Sequence, residues 1–531
     1  VVTVSVFVLL GIVGAMAVEW ALRQMEPMMR RKVVETLSAR FNSPVELDRL
    51  SLSVDKDIIV TGGGLRILYL AGPTKPDARP NAPPMLTVES FEFRTGWREL
   101  LRPSTRLVMV KVHGLQLNIP PKQERAAADD PKRKGQSALG ILVDRIECTD
   151  AKIAIETSKP DKKPLEFNVS RLILTDVGAK TPLNYEAELV NPKPIGDVHS
   201  TGHFGPWQID DPRDTPLDGS YEFTHADLSS IRGIGGMLAS TGRFGGTLGE
   251  MAVDGVADVP DFRLDISEHS LPLHTEFHAV VDGTTGDTAL NPVRARVGRS
   301  ELTATGSVTR STGVPGHNTD LHVVIERGRI EDMLTLSLKA NPPLMRGALA
   351  TRVHIEIPPG SISVSRKMRL EGTFAIHDAI LNNVKMQQQV DSMSERAQGK
   401  PRLANAQDAA VVGSSLSGTF SQANAVMQIP ELNYQMPGAQ VSLAGQIQLV
   451  ESTYEFHGKV RTQATASQMT TGWKSLLLTP FDKLLKKNGA GLELPIKVSG
   501  TRSTYELGLD FPHDTKMPGA PQPAAAGSPP K

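Results

Sequence analysis

Apolar and polar side chains alternate along most of this chain, and the alternation is cleanest between Thr351 and Ile376. In Arg352-Val353-His354-Ile355-Glu356-Ile357 every second position is apolar. An extended strand therefore sets Val353, Ile355 and Ile357 on one face and Arg352, His354 and Glu356 on the other. Pro358-Pro359-Gly360 then removes two amide donors and supplies a residue free to take positive φ, which ends the strand and reverses the chain. The period of two resumes after Met368, with Leu370 and Phe374 on the apolar side, and again in Val441 to Leu449, with Val441, Leu443, Ile447 and Leu449. A sheet of such strands has one greasy face and one wet face.

The same pattern predicts strands at Leu86–Val88, Phe91–Phe93, Ile141–Ile155, Leu165–Leu174 and Tyr185–Leu189, and nearly continuous strands from Thr241 onward. Between Leu107 and Ile119 the apolar set Val108, Val110 and Val112 gives way to Leu115 and Leu117, so the parity switches at His113-Gly114. A glycine bulge there would restore a single greasy face. Period-four spacing of Met29, Val33, Leu37 and Phe41 predicts a helix from Pro27 to Phe41, and helical insertions are expected at Ile330–Leu338 and Val384–Ala397. Pro120 to Gln136 is charged, Pro-bounded and without period, hence a solvated loop, and the Gly-rich Leu228–Leu238 could divide two halves.

Two stretches depart from the strand pattern. Val1 to Val18 carries no charge and is followed by Glu19 and Trp20. As a helix it would be roughly 27 Å long, against a ~30 Å hydrocarbon core, with Trp20 near the headgroups. This reads as a transmembrane anchor through Val1 to Leu22; the rival is a secretory signal cut near Ala15-Met16-Ala17. Gln468 to Asn488 is amphipathic: Trp473, Leu477, Phe481 and Leu485 supply an apolar surface, while Lys483, Lys486 and Lys487 could meet lipid phosphates or a docking partner. The alternative is a helix capping the sheet end, its lysines matched to the helix dipole.

Composition narrows the function classes. Aromatics make up 5% of the 531 residues and the 58 basic side chains balance 58 acidic ones, so the electrostatic footprint of a nucleic-acid binder is absent. A single cysteine, Cys148, permits no internal disulfide and no cysteine-built metal site. The chain has no Gly-x-Ser-x-Gly elbow, no His-Glu-x-x-His and no phosphate-cradling Gly-x-x-x-x-Gly-Lys loop, so an enzyme is not expected and neither catalytic residues nor cofactors are assigned. No metal set is assigned either. His274 and His278 lie four apart in an expected strand, ~13 Å from each other and too far for one ion, and His199 and His203 share that geometry. Asp282 to Asp287 fits a hairpin turn better than a calcium loop.

Several segments in order resemble the AsmA-like family: Ile330-Glu331-Asp332-Met333-Leu334, Pro343-Leu344-Met345-Arg346-Gly347, Ile357-Pro358-Pro359-Gly360, Leu370-Glu371-Gly372-Thr373-Phe374 and Ser394 to Gly399. Ser467-Gln468-Met469, Gly489-Ala490-Gly491 and Ser499-Gly500-Thr501-Arg502 are similar to that family's C-terminal region, and Val45-Glu46-Leu47-Asp48 to its start. The resemblance implies an inner-membrane, single-pass protein with its body in the periplasm, mainly β. Its body would be a long curled, repetitive antiparallel β-sheet forming a hydrophobic groove, with short helices inserted and at the C-terminal end. The expected parts are a transmembrane anchor at 1–22, a linker helix at 23–42, β-groove parts at 43–225 and 226–511, and a disordered tail at 512–531. The implied function is a conduit moving phospholipid towards the outer membrane, with an outer-membrane or protein docking partner at the C-terminal end. Periodicity alone leaves the alternative open, in which the apolar faces close on each other as the core of an envelope scaffold.

Overall fold

The computed structural model describes residues 24–35, 37–38, 43–54, 57–68, 83–96, 106–119, 142–155, 165–178, 181–206, 208, 212–231, 233–283, 285–311, 314, 316–362, 364–401, 411–465, 467–469, 491–501 and 505–510. Val1–Leu22, Pro120–Gln136, the amphipathic residues Trp473, Leu477, Phe481, Lys483, Leu485, Lys486 and Lys487, and the tail at 512–531 lie outside them. Among the described residues no helix is long and apolar enough to cross a membrane.

The fold is mainly β, with 24 strands among the described residues. The chain divides into two compact units, one of Val1–Thr312 with Thr335–Lys339, the other of Gly313–Leu334 with Ala340–Lys531. The division falls near Thr312 and not at the Gly-rich Leu228–Leu238. There a short 3-10 helix, Leu228–Ser230, interrupts the chain, but Pro216–Asp227 still pairs with Met237–Thr247 across it.

In the first unit the sheet begins at Val45–Val54, which pairs only with Ile58–Ile67 among the described residues, and runs strand by strand to Ser300–Arg310. Neighbours are antiparallel with one exception that the alternation pattern does not show: Arg106–Ile119 and Leu142–Ile155 run parallel. A parallel neighbour needs a connection long enough to return along the strand, and the stretch containing Pro120–Gln136 supplies that length. In the second unit His317–Arg329 pairs with Met345–Ile357, and antiparallel neighbours continue to Tyr505–Leu509, which among the described residues pairs only with Glu493–Thr501. Each unit thus has an edge strand with a single neighbour among the described residues, and the sheet is not closed.

The local reasons are those of the sequence. Met345–Ile357 ends at the Pro-Pro-Gly turn, where Gly360 takes φ +120°. Arg106–Ile119 is one strand with Gly114 at φ +66°, and the expected parity switch occurs there. The switch is not confined to that strand. Gly64 at φ +69° and Asp150 at φ +53° mark it in two other strands, so the apolar face stays continuous as the pleat changes phase. The helical insertions occupy Ile330–Ser337 and Val384–Ala397.

Candidate functional site

In an antiparallel sheet, directly opposed residues send their side chains to the same face. Following the pairing across the first unit therefore traces what each face is made of. Val60, Phe93, Val110, Ile146, Leu174 and Tyr185 oppose one another in consecutive strands. Gly202, Gly219, Phe244, Val253 and Ala279 continue the row. A second row, displaced by two residues, runs through Phe91, Val112, Cys148, Leu172 and Ala187. Burial pushes the Cys148 thiol up to about 11, so it stays protonated and acts as a small apolar side chain.

The second unit repeats the arrangement. Leu321, Ile355, Leu370, Gln422, Met427, Ile447 and Tyr454 form one row. Phe374, Gly418, Leu432, Leu443, Gly458 and Ile496 form another. Val441 lies in a third, between Tyr434 and Val460.

The expected lining residues fall on these faces with two exceptions. Val110, Val112, Leu115 and Leu117 oppose Phe93, Phe91, Val88 and Leu86, and all four are half-buried. Val353, Ile355, Ile357, Leu370, Phe374, Val441, Leu443 and Ile447 are half-buried too. Val108 is 66% exposed, because it stands near the strand end, beyond the last paired residue of its antiparallel neighbour Leu86–Thr95. Leu449 is 41% exposed and lies in the turn after Ala439–Gln448, so it does not extend that strand's apolar row.

Half-burial is the informative state. Apolar side chains closed between two sheets would be almost wholly removed from water, whereas here most of both rows keep part of their surface accessible. The first strands are the contrast: Leu47, Ile58 and Val60 are at most 2% exposed because Met29, Val33 and Val34 of the helix at 24–35 pack on them. That helix is also held by polar bonds. Arg30 Nε donates to the Leu47 carbonyl at 2.8 Å, and Glu26 Oε1 accepts from the Leu52 N–H at 3.2 Å.

The rows are smoothed by a pairing that single strands do not reveal. A Cβ placed on Gly62 would fall 2.1 Å from the Phe91 ring, one on Gly255 2.6 Å from Phe277, one on Gly242 2.7 Å from Tyr221, and one on Gly445 2.6 Å from Phe456. Aromatic rings thus lie across glycines of the next strand, covering backbone that has no side chain of its own. Phe91, Tyr221, Phe277 and Phe456 stand on this face in addition to the expected lining residues, and it is the register of neighbouring strands that sets each ring on a glycine.

The opposite face is charged. His203 pairs with Asp218 at 2.9 Å, His274 with Asp258 at 2.6 Å and His278 with Asp254 at 2.7 Å. His274 and His278 therefore serve separate cross-strand pairs. Asp282 and Gly286 close a turn, the Gly286 N–H donating to the Asp282 carbonyl at 2.7 Å. His199 sits with Glu186 and Glu188, whose carboxylates Arg171 Nη1 approaches at 3.5 Å each.

No family model matches this chain, and no curated protein or solved structure does.

Proposed function

We propose that this protein is a membrane-anchored, non-enzymatic conduit for phospholipid, in which acyl chains lie on the apolar face and headgroups stay in water. The observation that carries this reading is the partial exposure of apolar rows that pass through strand after strand in each unit. An acyl chain on such a surface gains on the order of 10 kcal/mol at ~0.8 kcal/mol per buried CH₂, without a recognition pocket. The resemblance to AsmA-like proteins is in keeping with it. So is the anchor read in Val1 to Leu22, which would hold the body at the inner membrane facing the periplasm. At the other end Trp473, Leu477, Phe481 and Leu485, with Lys483, Lys486 and Lys487, would contact the acceptor membrane or a docking protein.

The test is site-specific photocrosslinking in the full chain within cells. Probes at Val353 and Ile355 should capture phospholipid while probes at His354 and Glu356 capture little. Capture confined to the charged positions, or none at any of them, would remove the lipid reading and leave the scaffold.

A further inference from the structure

His322 and His354 are directly opposed on His317–Arg329 and Met345–Ile357, so both imidazoles rise from the charged face of the second unit side by side. Their rings stack with centroids 4.3 Å apart and planes within 14°. Both rings turn towards one carboxylate. Asp320 Oδ1 lies 3.0 Å from His354 Nε2 and 3.8 Å from His322 Nδ1. The geometry points to a site for a late first-row divalent cation such as Zn²⁺, held by Asp320, His322 and His354. One ligand atom from each lies within 4.8 Å of the others.

The chemistry fits the donors. Two imidazoles and one carboxylate form a three-residue set with a fourth position left to water, and such nitrogen-rich sets favour zinc and its neighbours over calcium or magnesium. Ligand atoms at ~2.0–2.2 Å from a tetrahedral ion stand roughly 3.3–3.6 Å apart, so the set closes when these atoms draw together by up to about 1.5 Å and the two stacked rings rotate to aim their in-plane lone pairs at one point. The side chains are free to make it, with 42%, 62% and 38% of Asp320, His322 and His354 exposed.

The surroundings add negative charge. Glu356 opposes Asp320, and Glu371 opposes His354 on its other side. Like charges directly opposed across a ladder are unfavourable, and a bound cation would relieve them. Arg369 pairs with Glu356 at 3.3 Å and Arg352 stands on the same face two residues from His354, but among the described residues the ion pairs of Asp320 are to the two histidines and not to an arginine. This is what separates the cluster from Glu186, Glu188 and His199, where Arg171 already stands between the carboxylates. It also differs from the single His–Asp pairs of the first unit, where each carboxylate meets one imidazole. The two histidines are distant in sequence and become neighbours only through strand pairing, so spacing rules applied to the sequence do not find them.

The experiment is a titration of the full, chelator-stripped protein with Zn²⁺ by calorimetry, and with Co²⁺ by visible absorption, which reports tetrahedral coordination. One equivalent should bind. His322→Ala and His354→Ala should each weaken it about tenfold or more, while the His274→Ala, His278→Ala pair leaves it unchanged. Zn²⁺ should also protect His322 and His354 of the unaltered protein from diethyl pyrocarbonate, a readout that needs no variant. No saturable binding up to ~1 mM, or binding and protection that are indifferent to these two histidines, would overturn the assignment.

Discussion

Gly418 stands opposite Phe374 in the apolar row, and a Cβ added there would lie 2.3 Å from the Glu431 carbonyl oxygen and 3.1 Å from the Phe374 ring. The ring could rotate away; the backbone oxygen cannot. Gly418→Val should therefore destabilise the second unit by ~1–3 kcal/mol, the usual range for overpacking, as read by denaturant midpoint. His457 offers a residue-scale prediction of a different kind. Its hydrogen bond to Asp510 at 2.7 Å, then the Asp510 charge, and a further bond to Glu455, hold its imidazolium above the ordinary histidine value of 6.5. A raised folded value means the contribution is complete below the unfolded value and lost as pH rises through the folded one. Asp510 follows the edge strand Tyr505–Leu509, so amide exchange in that strand should quicken on going from mildly acidic to mildly alkaline pH, beyond the intrinsic rise in exchange rate. His457→Ala should flatten that extra change; an unaltered profile would dismiss the pairing as a contributor.

Among the elements, the helix Val384–Ala397 is built against habit. It buries Gln387, Asp391, Ser394 and Ala397, while Val384, Met386 and Met393 remain exposed. Polar bonds hold its inner side: Gln387 Nε2 donates to Asp391 Oδ1 at 2.8 Å, the Val412 N–H donates to the same oxygen at 2.9 Å, and Ser394 Oγ donates to the Pro437 carbonyl at 2.7 Å. Asp391→Ala removes the acceptor of the partly buried Val412 N–H and one of two acceptors of Gln387 Nε2, which keeps its bond to the Val412 carbonyl at 3.1 Å, and should cost about 1–3 kcal/mol, with exchange at Val412 the local reporter. The helix itself was legible in sequence to its end residues, as were the strand ends at Pro358-Pro359-Gly360 and the phase change at Gly114, because each follows from backbone restrictions of the residues present. The choice of neighbour was not. Nothing in Arg106–Ile119 or Leu142–Ile155 announces a parallel pair, and the glycine–aromatic contacts and the His322–His354 stack depend on registers that join residues far apart. Periodicity gives a strand its faces; it does not give the strand its partner.

At the scale of the whole molecule, strands pair almost entirely with those adjacent in sequence, so interactions within each unit run between nearest neighbours, as in repeat proteins. Unfolding should then spread over more than one step. Exchange protection should be graded along each unit, strongest near Leu47, Ile58 and Val60 under the N-terminal helix and weakest at the Tyr505–Leu509 edge. A single transition coincident for all peptides would contradict this. The parallel pair has a consequence of its own for the first unit. In a strictly up-and-down ribbon, hairpin turns alternate between the two rims. One parallel step shifts the count, so every later turn changes rim relative to the first. The turn at Asp57 and the turn at Gly249 thereby share a rim, where unbroken alternation would have set them on opposite ones. Reagents or tethers delivered from that side would reach both, giving the first unit a sidedness that its strand count alone would deny it.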